Sequence, residues 1–407
     1  VRTAILNAHV VPGDDSLELP SATVLIEDGV ITARGPGIEA PSDADVIDAD
    51  GLVAIPGLVD GHRHVWQAPL RGIGADMALT EYLRVVQGRV LSAYGPEDAR
   101  AAALLGAVEA LDAGITSLFD WSNTTVSAEH TDAVVDAYTA AGVRAVVASG
   151  SPDRTDDVRR LAKLTGRVTG GLAILGPEYD DWDAVVRHLE LGRELDLTVS
   201  FHAAGGPGGA VDLLEAAGLL GPDLHLVHLN AMTDADAARL VAAGAGVTIT
   251  PVVEATMGHG GSPYGRFRDA GGRAGLGVDV VVNAAPDLFE PLRDTLRTER
   301  LRTGTLVPAA RFLPAVTSDS ARAIGLGEQV GTLTVGRRAD VVLLDGLAHL
   351  TGSGSVAGAV VTALGPANVR TVLVDGRVVK RDGHLVDHDL AALRAAGDAL
   401  ARRALHG

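Results

Sequence analysis

Two hydrophobic periodicities divide this chain. At both ends, apolar residues come in short β-branched runs broken by turn formers. Thr3-Ala4-Ile5-Leu6, Thr23-Val24-Leu25-Ile26 and Val30-Ile31-Thr32 are separated by turns such as Asp28-Gly29. The pattern returns near the end in Ala339 to Gly346. It continues in the hairpin Val369 to Val379, with Asp375-Gly376 at its turn. The middle alternates instead. Ala- and Leu-rich helical patches (Pro96 to Ala113, Ala128 to Ala141, Asp183 to Leu195, Asp234 to Ala243) are followed by short strand-like runs. The runs are Ile115 to Phe119, Arg144 to Ala148, Leu197 to Phe201, His225 to Val227, Val247 to Thr250 and Ala274 to Val278.

Strand and helix alternating about eight times over roughly 280 residues is the signature of a parallel barrel. The expected fold is therefore α/β: a (β/α)8 TIM-like barrel with a small β-sandwich domain built from both termini. A doubly wound sheet is the alternative. The expected boundaries are 1–54 and 332–386 for the small domain, 55–331 for the barrel and 387–407 for a C-terminal surface helix.

Composition narrows the chemistry. The 407 residues carry a net charge of −18, which repels phosphate backbones and argues against nucleic-acid binding. With no cysteine, thiolate ligands and disulfides are excluded. No apolar stretch approaches ~18 residues and no secretory signal is visible, so the expectation is a cytoplasmic protein with no membrane contact. Only His, Asp and Glu remain as metal ligands.

The apolar run Val53 to Val59 leads into Asp60-Gly61-His62-Arg63-His64. In an extended strand, residues i and i+2 point the same way, so His62 and His64 aim two imidazoles at one point. The barrel reading places chemistry where strands end. His202, His228 and Asp279 each follow an apolar strand run as well. Imidazoles with one carboxylate suit zinc or iron(II) and leave a position for water.

On these residues the chain resembles the amidohydrolase superfamily, in the branch holding cytosine deaminase, adenosine-type deaminases and triazine hydrolases. Pro56 to His64 resembles the first-strand motif, and Leu70-Arg71-Gly72 the Leu-Arg-Gly after it. His228, five residues before Thr233-Asp234, is similar to the sixth-strand His. Gly275 to Asp279 is similar to the eighth-strand Gly-Leu-Gly-Thr-Asp, and Gly331 to Asp340 to the return segment. The resemblance implies that His62, His64, His202 and Asp279 bind one divalent ion, zinc first and iron(II) as the alternative. It implies that Asp279 moves the proton of an activated water and that His228 stabilises charge on the substrate. His225 does not fit the spacing and reads as structural. A small-molecule substrate follows from the same resemblance, and chain size together with the family suggests a homodimer.

The chain also departs from that pattern. Deaminases of this branch carry a Glu three residues after the fifth-strand His, where this chain has Gly205. Glu254, after Thr250-Pro251, is the candidate replacement as acid–base group; the other reading pairs it with an Arg such as Arg71. Trp66, Gln67, Trp121 and His259 are candidate substrate contacts. Asp120 reads as a helix N-cap. Asp287, Phe289 and Glu290 resemble a substrate-sensing segment. Gly205 to Gly209 has no nearby Lys and reads as an open connection.

The expected function is deamination of a nitrogen heterocycle by a metal-dependent hydrolase. The alternatives are hydrolysis of a cyclic amide, lactone or carbon–halogen bond, and a non-hydrolytic lyase or binding protein.

Overall fold

A computed structural model of the protein describes residues 2–14, 16–348 and 354–406. The chain opens with β1 (Arg2–Val10), β2 (Leu19–Glu27), β3 (Val30–Gly35), β4 (Asp45–Asp48) and β5 (Val53–Pro56). Eight strands follow: β6 (Leu58–Arg63), β7 (Ile115–Ser122), β8 (Arg144–Ser149), β9 (Val168–Ile174), β10 (Val199–Ala203), β11 (Leu224–His228), β12 (Gly246–Ile249) and β13 (Gly275–Leu276). The return comprises β14 (Val341–Leu344), β15 (Val369–Val374), β16 (Arg377–Arg381) and β17 (His384–Leu385).

β6 to β13 pair in sequence order, all parallel. The barrel closes through a parallel bridge between Arg63 and Asp279. At that seam the Asp279 N–H donates to the His62 carbonyl (2.9 Å) and the His64 N–H to the Asp279 carbonyl (2.8 Å). Gly277 makes the approach possible, because a Cβ there would lie 2.6 Å from the His62 carbonyl oxygen. The short helix Ser318–Ala323 packs against β6, β12 and β13. Its Ser320 hydroxyl accepts from the Leu276 N–H (3.1 Å) and donates to the Ala315 carbonyl (2.8 Å).

The termini form one nine-stranded mixed sheet, with β5 paired to β1 on one side and β14 on the other. Its core includes Ile5, Val24, Ile26, Ile31, Val341 and Leu343. Arg144, at the start of β8, joins sheet to barrel. Its guanidinium donates to Asp340 (3.0 Å) and Asp375 (3.0 Å), and Arg144 and Asp340 are almost wholly buried. The C-terminal helix Leu390–His406 does more than cap the surface. Leu400, Ala401 and Ala404 are buried in a cluster with Trp66, Leu70, Val86 and Val90.

The run Val53 to Val59, within which the small domain is expected to give way to the barrel at 54/55, divides at Gly57 into β5 of the terminal sheet and β6 of the barrel. β9 was not foreseen. Its Gly170-Gly171 pair weakens the strand signal, and a Cβ on Gly170 would lie 2.6 Å from the Leu161 backbone.

Candidate metal centre

Five side chains from four stretches of the barrel meet at the C-terminal ends of its strands. The Nε2 atoms of His62 and His64 lie 3.4 and 3.5 Å from Asp279 Oδ1, and His228 Nε2 lies 4.0 Å from Asp279 Oδ2. The His62 ring stands edge-on to His64 and His202, with centroids 4.9 and 5.1 Å apart. One nitrogen or carboxylate oxygen from each of His62, His202 and His228 falls within 4.8 Å of the others, and so does the set His62, His64 and Asp279. The backbone is strained at this point. His228, Leu229 and Asp279 have φ of 74°, 57° and 62°, a region L-residues seldom occupy outside sites that require it.

The electrostatics suit ligation. Burial lowers His62 to about 4 and holds His64 and His202 below the ordinary imidazole value, so all three are neutral at pH 7. Asp279 behaves oppositely. Burial favours its protonated form, but His62 Nε2 at 3.4 Å and the field of His228, His62 and His64 hold it well below the usual carboxylate range. His228 is raised: burial opposes its charge, and the Glu254 hydrogen bond with the charges of Asp279 and Glu254 outweighs that.

Both ring nitrogens of His62 are buried without a hydrogen-bond partner. A buried, unpaired imidazole is costly unless something else takes its lone pair. That observation, with an all-N/O donor set, fits a divalent ion such as zinc held by His62, His64, His202 and Asp279, with His228 beside it.

Other predicted residues divide into those facing the cluster and those behind it. The Trp121 ring lies 5.0 Å from His202 and 5.5 Å from His64, centroid to centroid, and its buried indole N–H has no partner. His259 stands edge-on to His228 at 5.8 Å. Gln67 is buried and donates to the Tyr82 hydroxyl (2.6 Å), leaving its Oε1 unpaired. Trp66 is 1% exposed, packs edge-on to Tyr94 and donates its indole N–H to Asn123 (2.9 Å), which is a packing role. Glu254 sits on the short helix Pro251–Thr256 behind His228. Its Oε1 is 3.3 Å from His228 Nδ1 and accepts from the Thr250 N–H (2.8 Å). It does not pair with Arg71, which bonds Glu109.

Asp120 lies within β7 and does not cap the helix that follows, whose N-cap is Ser127. Its carboxylate accepts from the Val65 N–H (3.2 Å), across the strand, and from the Tyr138 hydroxyl (2.7 Å). Asp287 is spent on capping, accepting from the Phe289 and Glu290 N–H groups (2.8 and 3.1 Å) at the start of the helix Phe289–Thr303. Sequence reasoning missed Asn123, Thr250 and Glu178. The Glu178 carboxylate, from the loop after β9, accepts from the N–H groups of Ala204, Gly205 and Ala210 (2.5, 3.0 and 2.7 Å). The Gly205 loop is thus wrapped on a neighbour's carboxylate. Only a search for strand-end polar residues that do not recur in a motif could have flagged these three. Two cavities, of 320 and 230 Å³, are lined by residues such as Arg273 and Pro314, away from the ligand cluster.

His225 is structural, as expected. Its Nδ1 pairs with the Ser200 hydroxyl (3.0 Å) and its Nε2 with that of Thr248 (2.8 Å). Burial lowers it to about 3. The unfolded chain therefore binds a proton below pH ~6.5 that the folded chain does not, so stability falls as pH drops from there towards 3. Urea unfolding at about pH 7.5 and 5.5 should show a steeper loss in wild type than in His225→Asn, by up to one proton's worth. Parallel losses would contradict this.

A parallel barrel with imidazoles and one aspartate gathered at its C-terminal rim defines a metal-dependent hydrolase. The sequence model of the amidohydrolase family matches residues 53–379, and the chain belongs to that family. It is 29% identical to a 5-methylthioadenosine/S-adenosylhomocysteine deaminase of Desulforudis audaxviator, covering 99% of each chain. It is 31% identical to one from Halobacterium salinarum, covering 90% of this chain and 89% of that one. Among solved structures it is similar to a zinc-bound adenosine deaminase from Xanthomonas campestris (TM-score 0.90, 24% identity, covering 99% and 98%). An atrazine chlorohydrolase from Arthrobacter aurescens complexed with zinc shares the fold too (TM-score 0.86, 23% identity, covering 98% and 100%).

Proposed function

We propose that the protein is an aminohydrolase that replaces an amino group on a nitrogen heterocycle with a hydroxyl group and releases ammonia. One observation carries the reading: four imidazoles and an aspartate converge on one point, in a chain that aligns nearly end to end with adenosine-type deaminases. A divalent ion, zinc ahead of iron(II), lowers the pKa of a coordinated water from ~15.7 towards ~7 when bound.

Asp279 supplies the base. Its Oδ1 is turned to His62 and His64 and its Oδ2 to His228, so the carboxylate borders the space they enclose. Kept ionised by the surrounding imidazoles, it takes the water's proton and passes it to the departing nitrogen. His228 Nε2 borders the same space and donates to the ring as charge develops there. Trp121 offers its unpaired indole N–H beside the cluster, so it is the aromatic best placed to meet the substrate. Glu254 is a positioning residue, holding His228 through Nδ1. Glu254→Gln is expected to lower kcat by about 10–100-fold, with metal content kept at one ion per chain. Unchanged kcat removes Glu254 from the scheme.

Gly205 favours a second reading. It brings no acid to protonate a ring nitrogen, which suits a leaving group that departs without that help, such as halide from a halo-heterocycle. A panel of purine nucleosides, pyrimidines and amino- and chloro-triazines separates the two. Ammonia release supports the first reading. Halide release with no ammonia from any amino substrate overturns it in favour of the second.

A further inference from the structure

Asn123 lies just beyond β7 and has no part in the reaction described above. Its Oδ1 stands 2.8 Å from His64 Nδ1 and 2.9 Å from Trp66 Nε1. These two contacts bear on which ring nitrogen of His64 carries the hydrogen. An indole N–H can only donate, so the amide atom facing Trp66 must be the oxygen and not the NH2. The same oxygen faces His64 Nδ1, so that nitrogen must carry the hydrogen. His64 is thereby held in the tautomer whose Nε2 lone pair points towards Asp279 and the ligand cluster.

We propose that Asn123 and Trp66 form a relay that presets the tautomer and ring orientation of His64 for metal binding. Trp66 fixes which way the amide faces, and the amide fixes which ring nitrogen is free. Neither residue touches the substrate; both are positioning residues. The Trp121 carbonyl, 3.0 Å from the same Nδ1, is a second acceptor in the same direction, so the relay works alongside one backbone contact. The packing of Trp66 against Tyr94 gives the relay a rigid base, since the indole cannot turn without breaking up that buried cluster. The inference rests on reading His64 as a ligand.

The test is zinc affinity of the apo chain, measured by competition with a chromophoric chelator. Asn123→Ala should weaken zinc binding by about 10–100-fold, the usual cost of losing a partner behind a metal-binding imidazole. Asn123→Asp should restore wild-type affinity or better, because a carboxylate is an acceptor on both sides. Trp66→Phe frees the amide to turn its NH2 towards His64, so it should weaken zinc binding too. In the Asn123→Asp background the Trp66→Phe change should then cost nothing, because a carboxylate has no wrong face. Nitrogen-15 spectra of ring-labelled apo protein supply a readout independent of metal: His64 should be the Nδ1–H tautomer in wild type and mixed in Asn123→Ala. If wild type binds no zinc, the metal-site reading itself fails. If wild type binds zinc and Asn123→Ala binds it equally, with an unchanged tautomer, the Trp121 carbonyl suffices and the relay is overturned.

Discussion

Asp279→Asn is expected to reduce kcat by about 10²–10⁴-fold, the size of a lost general base, at zinc concentrations that keep the site filled. Asn is the right replacement because residue 279 has φ of 62°, a conformation Asn tolerates and Ala does not. The amide keeps the shape and can still offer one oxygen to a cation, but it cannot hold the proton. In the proposed ligand set His62, His64 and His202 remain, so metal is expected to be retained with lower affinity. Steady-state rates at two zinc concentrations, with metal content measured alongside, check the outcome. Activity within tenfold of wild type in a metal-loaded variant would remove Asp279 as the base and leave the proposed chemistry without a proton acceptor.

Arg144→Met is expected to destabilise the fold by about 3–5 kcal/mol, the range for breaking a buried ion pair from one side. Arg144 is the cation between Asp340 and Asp375, and the Asp340 carboxylate is also approached by the Ser117 hydroxyl (3.3 Å). Without the guanidinium, Asp340 is left charged and buried at the junction of barrel and terminal sheet. Asp375 suffers less, because Arg338 also bonds it. Equilibrium urea unfolding gives the number, with Asp340→Asn in the same background expected to recover part of the loss. A loss below about 1 kcal/mol would mean that water reaches the junction and screens the pair.

The His/Asp cluster was legible because metal chemistry restricts residue type. His62 and His64 share a strand face, and His202, His228 and Asp279 each stand at the end of an apolar run, a one-dimensional signature of a three-dimensional cluster. The groups behind them were not legible. Asn123, Thr250 and Glu178 are ordinary polar residues whose roles come from which strand lies beside which. Glu254 was read as an acid–base candidate, and only the turn of the helix Pro251–Thr256 shows that it faces the back of His228. In the fold, the alternation of strand and helix announced the barrel. β9 escaped because two glycines chosen for close approach erase the signal of a strand. The passage from sheet to barrel was placed at 54/55 and falls at Gly57, because an apolar run reads the same whether it serves one sheet or two.

The pairing of β5 with β14 has a consequence for biosynthesis. β5 leaves the ribosome early, and its neighbour emerges only after all eight barrel strands have been made. At ~5–20 residues per second, the nascent chain carries an open strand edge for tens of seconds. The barrel must assemble while that edge is still waiting. Premature release of the polypeptide anywhere before Val341 would leave a permanently unsealed flank, prone to pair with its own kind.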